Sequence, residues 1–353
     1  MIDPHLIKNN GGPAKKITKY IFLSFIFVLL ASVVFFGVQW FSNSLGDIFI
    51  KKINPSTSLL PASLGASIDN VRAQILESSD PSKDLLPYRN WQVGDLSVDA
   101  QSAILVEIGA GKSKVLFNKN EQKKLPIASL AKLMTALVVL ENYDLSKSIT
   151  ISQDAMAQEG EQGNLQLGQV FFAKDLLYMT LVESSNRSAY ALAEAAGVNN
   201  FVTLMNKKAL EMGLTSTRFE DSTGLNPGSY STAMDLVALT QYLFENYPLF
   251  KEIISLKQYD LYLPGGVLHH SLINTNELLD RNDVIGGKTG FTKEAKGCLM
   301  ILSRPPGDDV AMMESGQDSL NQEDYIINIV LGSHDRFKEV ENLMNWVRVA
   351  YEW

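Results

Sequence analysis

Pro126-Ile127-Ala128-Ser129-Leu130-Ala131-Lys132-Leu133-Met134-Thr135-Ala136-Leu137-Val138 is the stretch on which the reading of this chain turns. A proline opens it, and Leu130, Leu133, Met134, Leu137 and Val138 recur at helical spacing, which predicts a helix just after Pro126. Inside that apolar run a hydroxyl and an amine stand three apart. Ser129 and Lys132 share one face of the first turn, so the amine can reach the hydroxyl. A serine hydroxyl is a weak nucleophile, and a lysine can be its base when burial or cationic neighbours lower the amine's pKa. The helix N-terminus adds partial positive charge where negative charge would develop. Alone the signal is weak: about one Ser-x-x-Lys is expected by chance in a chain this long. Its plain alternative is an exposed helix face.

On either side of the stretch, apolar runs alternate with turn residues. Residues 103–107, the turn Gly109-Ala110-Gly111 and residues 115–117 read as a β-hairpin. Helices are expected over 175–182 and 188–196, with a polar joint at 183–187, and Thr232-Ala233-Met234-Asp235 has capping-box spacing before the apolar stretch 236–243. Residues 284–289, 297–303 and 326–331 read as strands, and Phe337, Val340, Leu343, Met344 and Val347 mark a closing amphipathic helix. Strands at both ends with helices between them give an α/β fold of the α+β kind. It is an antiparallel β-sheet built from distant segments, flanked by helices, with a helical subdomain. Residues 304–324 make a long polar connection, a lid or a tolerated insertion.

The chain has 353 residues, 46% hydrophobic and 20% charged, enough for a sizeable core in one or two domains. Its net charge of −8 argues against nucleic acid as a partner, because affinity for phosphate backbones comes from clustered Lys and Arg. The single cysteine, Cys298, lies in an apolar run and excludes thiolate zinc sites, iron–sulfur clusters and intramolecular disulfides. The adjacent His269 and His270 would point to opposite faces of a strand, a poor metal site, so no metal or cofactor is expected.

Residues 20–41 carry no charge and as a helix would span a bilayer, and Lys8, Lys15, Lys16 and Lys19 precede them against Asp3 alone. The expectation is a cytoplasmic tail over 1–19, a single transmembrane anchor over 20–41, and everything after it on the extracytoplasmic side of the cytoplasmic membrane. A cleaved signal peptide is the alternative, with a small-x-small site at Ser42-Asn43-Ser44; the apolar run exceeds the usual signal core of about 7–15 residues. Residues 42–89, rich in Ser, Pro, Asn and Asp, read as a linker with one short helix over 68–76, and residues 90–353 as one compact domain of mixed helix and strand.

Two further motifs fall in that domain. Ser184-Ser185-Asn186 lies in the joint between two helices, where a hydroxyl and a carboxamide can face a cleft, or can simply cap a helix. Lys288-Thr289-Gly290 follows Gly286-Gly287 on a probable strand. There a cation and a hydroxyl can hold a carboxylate, and Gly290 lets a peptide backbone approach; a gatekeeper lysine on an edge strand is the alternative. Their order along the chain, Ser-x-x-Lys, Ser-x-Asn, Lys-Thr-Gly, is the three-part signature of penicillin-recognising serine enzymes.

In these motifs the chain resembles the low-molecular-mass penicillin-binding proteins, the serine D-alanyl-D-alanine carboxypeptidases. The resemblance runs from about Gln92 to Trp353 and takes in Asp175-Leu176-Leu177, Gly224-Leu225 and Val330-Leu331-Gly332-Ser333. It implies a β-lactamase/transpeptidase-like fold. It also implies that Ser129 attacks the penultimate D-alanine carbonyl of a peptidoglycan stem peptide while Lys132 takes its proton. Ser184 would relay a proton to the leaving D-alanine, Asn186 would hold the peptide and orient Lys132, and Lys288, Thr289 and Gly290 would receive the terminal residue. The N–H groups of Ser129 and Phe291 would form the oxyanion hole, and β-lactams would inhibit by the same path.

The chain departs from the family at Ser185, where many members carry glycine, which would tighten the cleft. It also ends soon after the closing helix, where relatives often continue into a β-rich domain, and it places its anchor at the N-terminus. A D,D-endopeptidase uses the same residues and stays open as an alternative. A serine β-lactamase of class A needs a Glu-x-x-x-Asn, which residues 187–287 lack. A non-catalytic peptidoglycan-binding protein would be expected to have lost the nucleophile or its base.

Overall fold

The computed structural model describes residues 87–353 apart from 110–111, 161, 264 and 307–323. The expected anchor 20–41, the helix 68–76, the turn at 110–111 and most of the connection 304–324 lie outside the described residues. Among the described residues no helix is long and apolar enough to cross a membrane.

Five strands form one antiparallel sheet: β1 (Ser102–Gly109), β2 (Lys112–Lys119), β3 (Val284–Thr292), β4 (Lys296–Ser303) and β5 (Tyr325–Ser333). The order across the sheet is β3-β4-β5-β1-β2, so the first hairpin pairs with the last strand and β3 is an edge. Side chains alternate between two apolar layers. Ile104, Val106, Met300, Leu302, Ile327 and Ile329 face one core; Ala103, Leu105, Leu299, Ile301, Ile326 and Val330 face the other. Both faces are covered, which is why these strands read in the sequence as continuous apolar runs rather than as alternating ones.

The longer helices are α1 (Ala131–Asn142), α2 (Ala173–Leu181), α3 (Asn186–Glu194), α4 (Val198–Glu211), α5 (Ala233–Asn246), α6 (Pro248–Ser255) and α7 (Arg336–Ala350). The apolar face of α7, with Val340, Leu343, Met344 and Val347, closes one side of the sheet. On the other side α1 is the core of the helical layer: every residue from Ala131 to Val139 is buried, and α2, α3, α4 and α5 pack around it. A helix apolar on all sides must be enclosed in this way. Truncating Leu133 there would cost about 2–5 kcal/mol and loosen the helix that carries Lys132.

Thr232 caps α5 as its spacing predicts, its hydroxyl accepting the Asp235 N–H at 3.0 Å. Cys298 is buried in the core, as its neighbours predict. The joint after α2 is shorter than its sequence suggests: Ser185 is the N-cap of α3, and Asn186 is already helical. Tyr88–Arg89, within the stretch read as linker, pair with Tyr351–Glu352.

The expectation that His269 and His270 point to opposite faces of a strand is overturned. They lie on a separate hairpin of Gln258–Tyr262 with Leu268–Ile273. Its register shifts between Leu261 and Tyr262, whose partners are His270 and Leu268, so His269 is the extra residue of a bulge. A bulge breaks the strict alternation. The two imidazoles therefore meet, Nδ1 to Nδ1 at 2.7 Å.

Candidate active site

The three motifs converge where the edge strand β3 meets the helical layer. Ser129 is the middle residue of a 3-10 turn, Ala128–Leu130, that runs straight into α1. Ala128 holds a φ of 48°, a left-handed conformation that costs a residue with a Cβ about 1–2 kcal/mol. Its neighbours enforce it. A Cβ on Gly224 would fall 1.8 Å from the Ala128 carbonyl oxygen, and one on Gly290 would fall 3.0 Å from the Ser129 nitrogen. Glycine at these two positions lets the loop after residue 221 and strand β3 close on the turn from both sides.

Lys132 is wholly buried, yet its amine has three partners: Ser129 Oγ at 2.8 Å, Asn186 Oδ1 at 2.6 Å and the Thr223 carbonyl at 2.8 Å. Burial pulls its pKa down to about 7, against the opposing pull of the Asp221 charge. The Asn186 oxygen and the Thr223 carbonyl can only accept, so they take two N–H groups of the amine. When Lys132 is neutral, its lone pair is therefore left facing the Ser129 hydroxyl. Asn186 is itself fixed, because its Nδ2 donates to the Glu159 carbonyl at 2.8 Å. Asp221 shapes the loop that presents Thr223, accepting the Thr223 N–H at 2.8 Å and the Asn226 N–H at 2.6 Å. The Thr135 hydroxyl ties the same loop to α1 through the Ser222 carbonyl, at 2.6 Å.

A second serine and lysine face each other across the cleft. Lys288 Nζ donates to Ser184 Oγ at 2.7 Å and to the Thr289 carbonyl at 3.0 Å. Ser184 has a φ of 62°, a strain in a non-glycine residue that marks an enforced position. Lys288 is also wholly buried, which rules out a solvated gatekeeper on the edge strand. Burial holds its pKa well below the usual lysine range, with repulsion from Lys132 and Arg336 adding to it. Both serines stay half-buried while both lysines are enclosed, so the hydroxyls are reachable and the amines are not.

Thr289 is buried next to Lys288, its hydroxyl 2.6 Å from the Thr275 hydroxyl. Arg336 donates to the Gly290 carbonyl at 3.1 Å. Phe291 is 67% exposed. Ser185 faces away from the cleft: it is buried, and its hydroxyl donates to the Gln162 carbonyl at 2.6 Å and accepts the Ser188 N–H at 3.3 Å. The reading of Ser185 as a helix cap is thus correct for that residue, while Ser184 and Asn186 on either side of it reach the two lysines.

All the residues singled out in the three motifs fall at this one place. Four others were given no role from the sequence: Asp221 and Thr223, which lie in the stretch 221–225 that shares the family resemblance and position Lys132, and Thr275 and Arg336, which contact the Lys-Thr-Gly strand. The turn Asp221-Ser222-Thr223-Gly224 carries a readable signal, an acidic side chain two and three residues before N–H groups it can accept. Thr275 and Arg336 carry none, since only tertiary packing brings them in. Among the described residues no group of His, Cys, Asp and Glu side chains could hold a metal ion.

The chain is similar in sequence and in fold to known proteins. The sequence profile of the D-alanyl-D-alanine carboxypeptidase family matches residues 90–312. The chain is 35% identical to the D-alanyl-D-alanine carboxypeptidase DacF of Bacillus subtilis over 60% of its length, a stretch spanning 56% of that protein. It is 31% identical to a D-alanyl-D-alanine endopeptidase of Pseudomonas aeruginosa over 69% of its length and 79% of the other. Among solved structures, the Streptomyces K15 DD-transpeptidase superposes with a TM-score of 0.62 at 27% identity, over 73% of this chain and all of that one. A D-alanyl-D-alanine carboxypeptidase of Mycobacterium tuberculosis superposes with a TM-score of 0.61 at 26% identity, over 74% and 95%.

Proposed function

The chain belongs to the D-alanyl-D-alanine carboxypeptidase family of serine peptidases, and from that premise we propose that it removes the terminal D-alanine from peptidoglycan stem peptides. The observation that carries this reading is the Lys132 amine, buried, drawn to a pKa of about 7 and fixed so that its lone pair meets Ser129. Ser129 Oγ attacks the carbonyl of the penultimate D-alanine as its proton passes to Lys132. The N–H groups of Ser129 and Phe291 stabilise the oxyanion, worth about 3 kcal/mol per donor. Ser184 then gives a proton to the leaving nitrogen and is resupplied by Lys288 through their 2.7 Å contact. The C–N bond breaks, D-alanine departs, and water hydrolyses the ester on Ser129.

Lys288 and Thr289 receive the carboxylate of the departing residue. The cleft holds two buried amines, and a substrate carboxylate is the counter-charge that suits them. A β-lactam, which also carries a carboxylate, enters by the same path and stays as an acyl-enzyme. Among the described residues, the hydrogen-bond partners of Lys132 and Lys288 are hydroxyls, a carboxamide and backbone carbonyls, and Ser129 meets the Lys132 amine. None is a carboxylate that could activate a deacylating water, which weighs against a β-lactamase. D,D-endopeptidase action on cross-linked stems uses the same groups, and relatives such as the Pseudomonas aeruginosa protein bear that name.

The domain works at the outer face of the cytoplasmic membrane, held by residues 20–41. The uncharged run and the lysines before it support that placement.

The test is D-alanine release from diacyl-Lys-D-Ala-D-Ala by the full chain in detergent, beside Ser129→Ala, a cross-linked stem dimer and nitrocefin. Release that disappears with Ser129, with negligible nitrocefin turnover, is the expected result. Cleavage of the dimer alone would make it an endopeptidase, and rapid nitrocefin hydrolysis without D-alanine release would overturn the peptidase reading.

A further inference from the structure

We propose that His270 and Glu183 form a brace that holds Ser184 within reach of Lys288. They are then positioning residues of the reaction, and the inference rests on the proton-relay role given to Ser184 above.

His270 Nε2 lies 3.1 and 3.2 Å from the two carboxylate oxygens of Glu183. The pair is sheltered, with side chains 18% and 13% exposed. An ionised carboxylate only accepts, so Nε2 carries the hydrogen. On the far side of the ring, His270 Nδ1 meets His269 Nδ1 at 2.7 Å, where one nitrogen bears a hydrogen and the other a lone pair. The His269 ring in turn lies edge-on against the buried Phe171, at 5.1 Å and 82°. Phe171, His269, His270 and Glu183 thus form a continuous line of contacts that ends on the residue next to Ser184. The bulge that breaks the hairpin's alternation is what puts both imidazoles in that line.

Ser184 needs such a hold. A left-handed φ of 62° in a residue with a Cβ persists only where the chain is fixed on both sides. After Ser184, the Ser185 N–H donates to the Met179 carbonyl at 3.1 Å and its hydroxyl to the Gln162 carbonyl at 2.6 Å. Before it, the Val182 carbonyl accepts the Thr275 N–H at 3.1 Å, and the Glu183 carboxylate accepts from His270. Among the described residues, that carboxylate makes the one side-chain hydrogen bond from residues 182 and 183. The segment that supplies both contacts, residues 270–275, also places Thr275 against Thr289 at 2.6 Å. A single stretch of chain therefore sets Ser184 and the Lys-Thr-Gly strand against each other. Without the Glu183 contact, residue 184 can relax toward an ordinary φ, which turns its hydroxyl off Lys288.

The experiment is single-turnover labelling of Ser129 by a fluorescent penicillin, with the full chain in detergent. The amplitude counts correctly folded sites. The rate constant reports how well the leaving β-lactam nitrogen is protonated, the step assigned to Ser184 and Lys288. Glu183→Ala and His270→Ala should each slow labelling about tenfold at unchanged amplitude. The double variant should be no slower than either alone. Glu183→Gln, which keeps an acceptor for Nε2–H, should stay within about threefold of the parent. A purely structural role would lower the amplitude and leave the rate constant alone. Because the rate constant comes only from molecules that label, partial misfolding does not obscure it. Alanine variants that label at the parent rate would overturn the brace, as would two losses that add in full. A parent protein that does not label at all would instead remove the reading of function beneath it.

Discussion

The cleft holds two Ser–Lys contacts that look alike and are built differently. Ser129 and Lys132 are 2.8 Å apart and come from one turn of chain; Ser184 and Lys288 are 2.7 Å apart and come from segments 104 residues distant. Both amines are wholly buried and both have lowered pKa values. The first amine is surrounded by acceptors, which leaves it one role, to take a proton from Ser129. The second sits on the edge strand beside Thr289, near Lys132 and Arg336, and is held low partly by those cations, so an arriving carboxylate changes its charge most. Burial prepares a base in one pair and a carboxylate receptor with a proton to give in the other.

Substitutions in matched positions can break that distinction. Ser129→Ala should lower D-alanine release at least about 10⁴-fold, because the covalent path is gone. Ser184→Ala should lower it about 10²-fold, the size of a lost proton relay. Equal losses would mean that the pairs are not a nucleophile and a relay. Lys132→Arg should cost about 10³-fold, since guanidinium does not give up its proton; Lys288→Arg keeps a cation for the carboxylate but for the same reason cannot resupply Ser184, so it should lower kcat about 10²-fold, as Ser184→Ala does, with KM little changed. The smallest effect should come from Thr275→Val. It removes one hydroxyl partner of Thr289 and should raise KM for a D-Ala-D-Ala peptide about fivefold at unchanged kcat, the size of one hydrogen bond.

The same contrast explains how much the sequence revealed. The local pair was legible: Pro126, the helical spacing behind it and the three-residue step from Ser129 to Lys132 specify a helix start carrying a hydroxyl beside an amine. The strands and the closing helix were legible too, because their apolar runs are long and their neighbours are turns. The long-range pair was legible only through the order of motifs. Nothing near Lys288 says that it is enclosed, and as an edge-strand lysine it reads as a solubility device until the helical layer covers it. Asp221 could have been found from its turn. Thr275, Arg336 and the His269–His270 contact could not: the first two arrive by tertiary packing, and the third depends on a bulge that alternation rules do not foresee.

The central claim is that burial makes Lys132 the base for Ser129, and the pH dependence of Ser129 acylation tests it most directly. A lysine whose pKa is lowered to about 7 is protonated, and useless as a base, below that value and neutral above it. The account predicts that the penicillin-labelling rate constant of the full chain rises about tenfold per pH unit on the acid side, levels off above pH about 7, and loses this limb in Lys132→Arg. A rate constant that stays flat through that range, or a Lys132→Arg variant that labels at the parent rate, would contradict it.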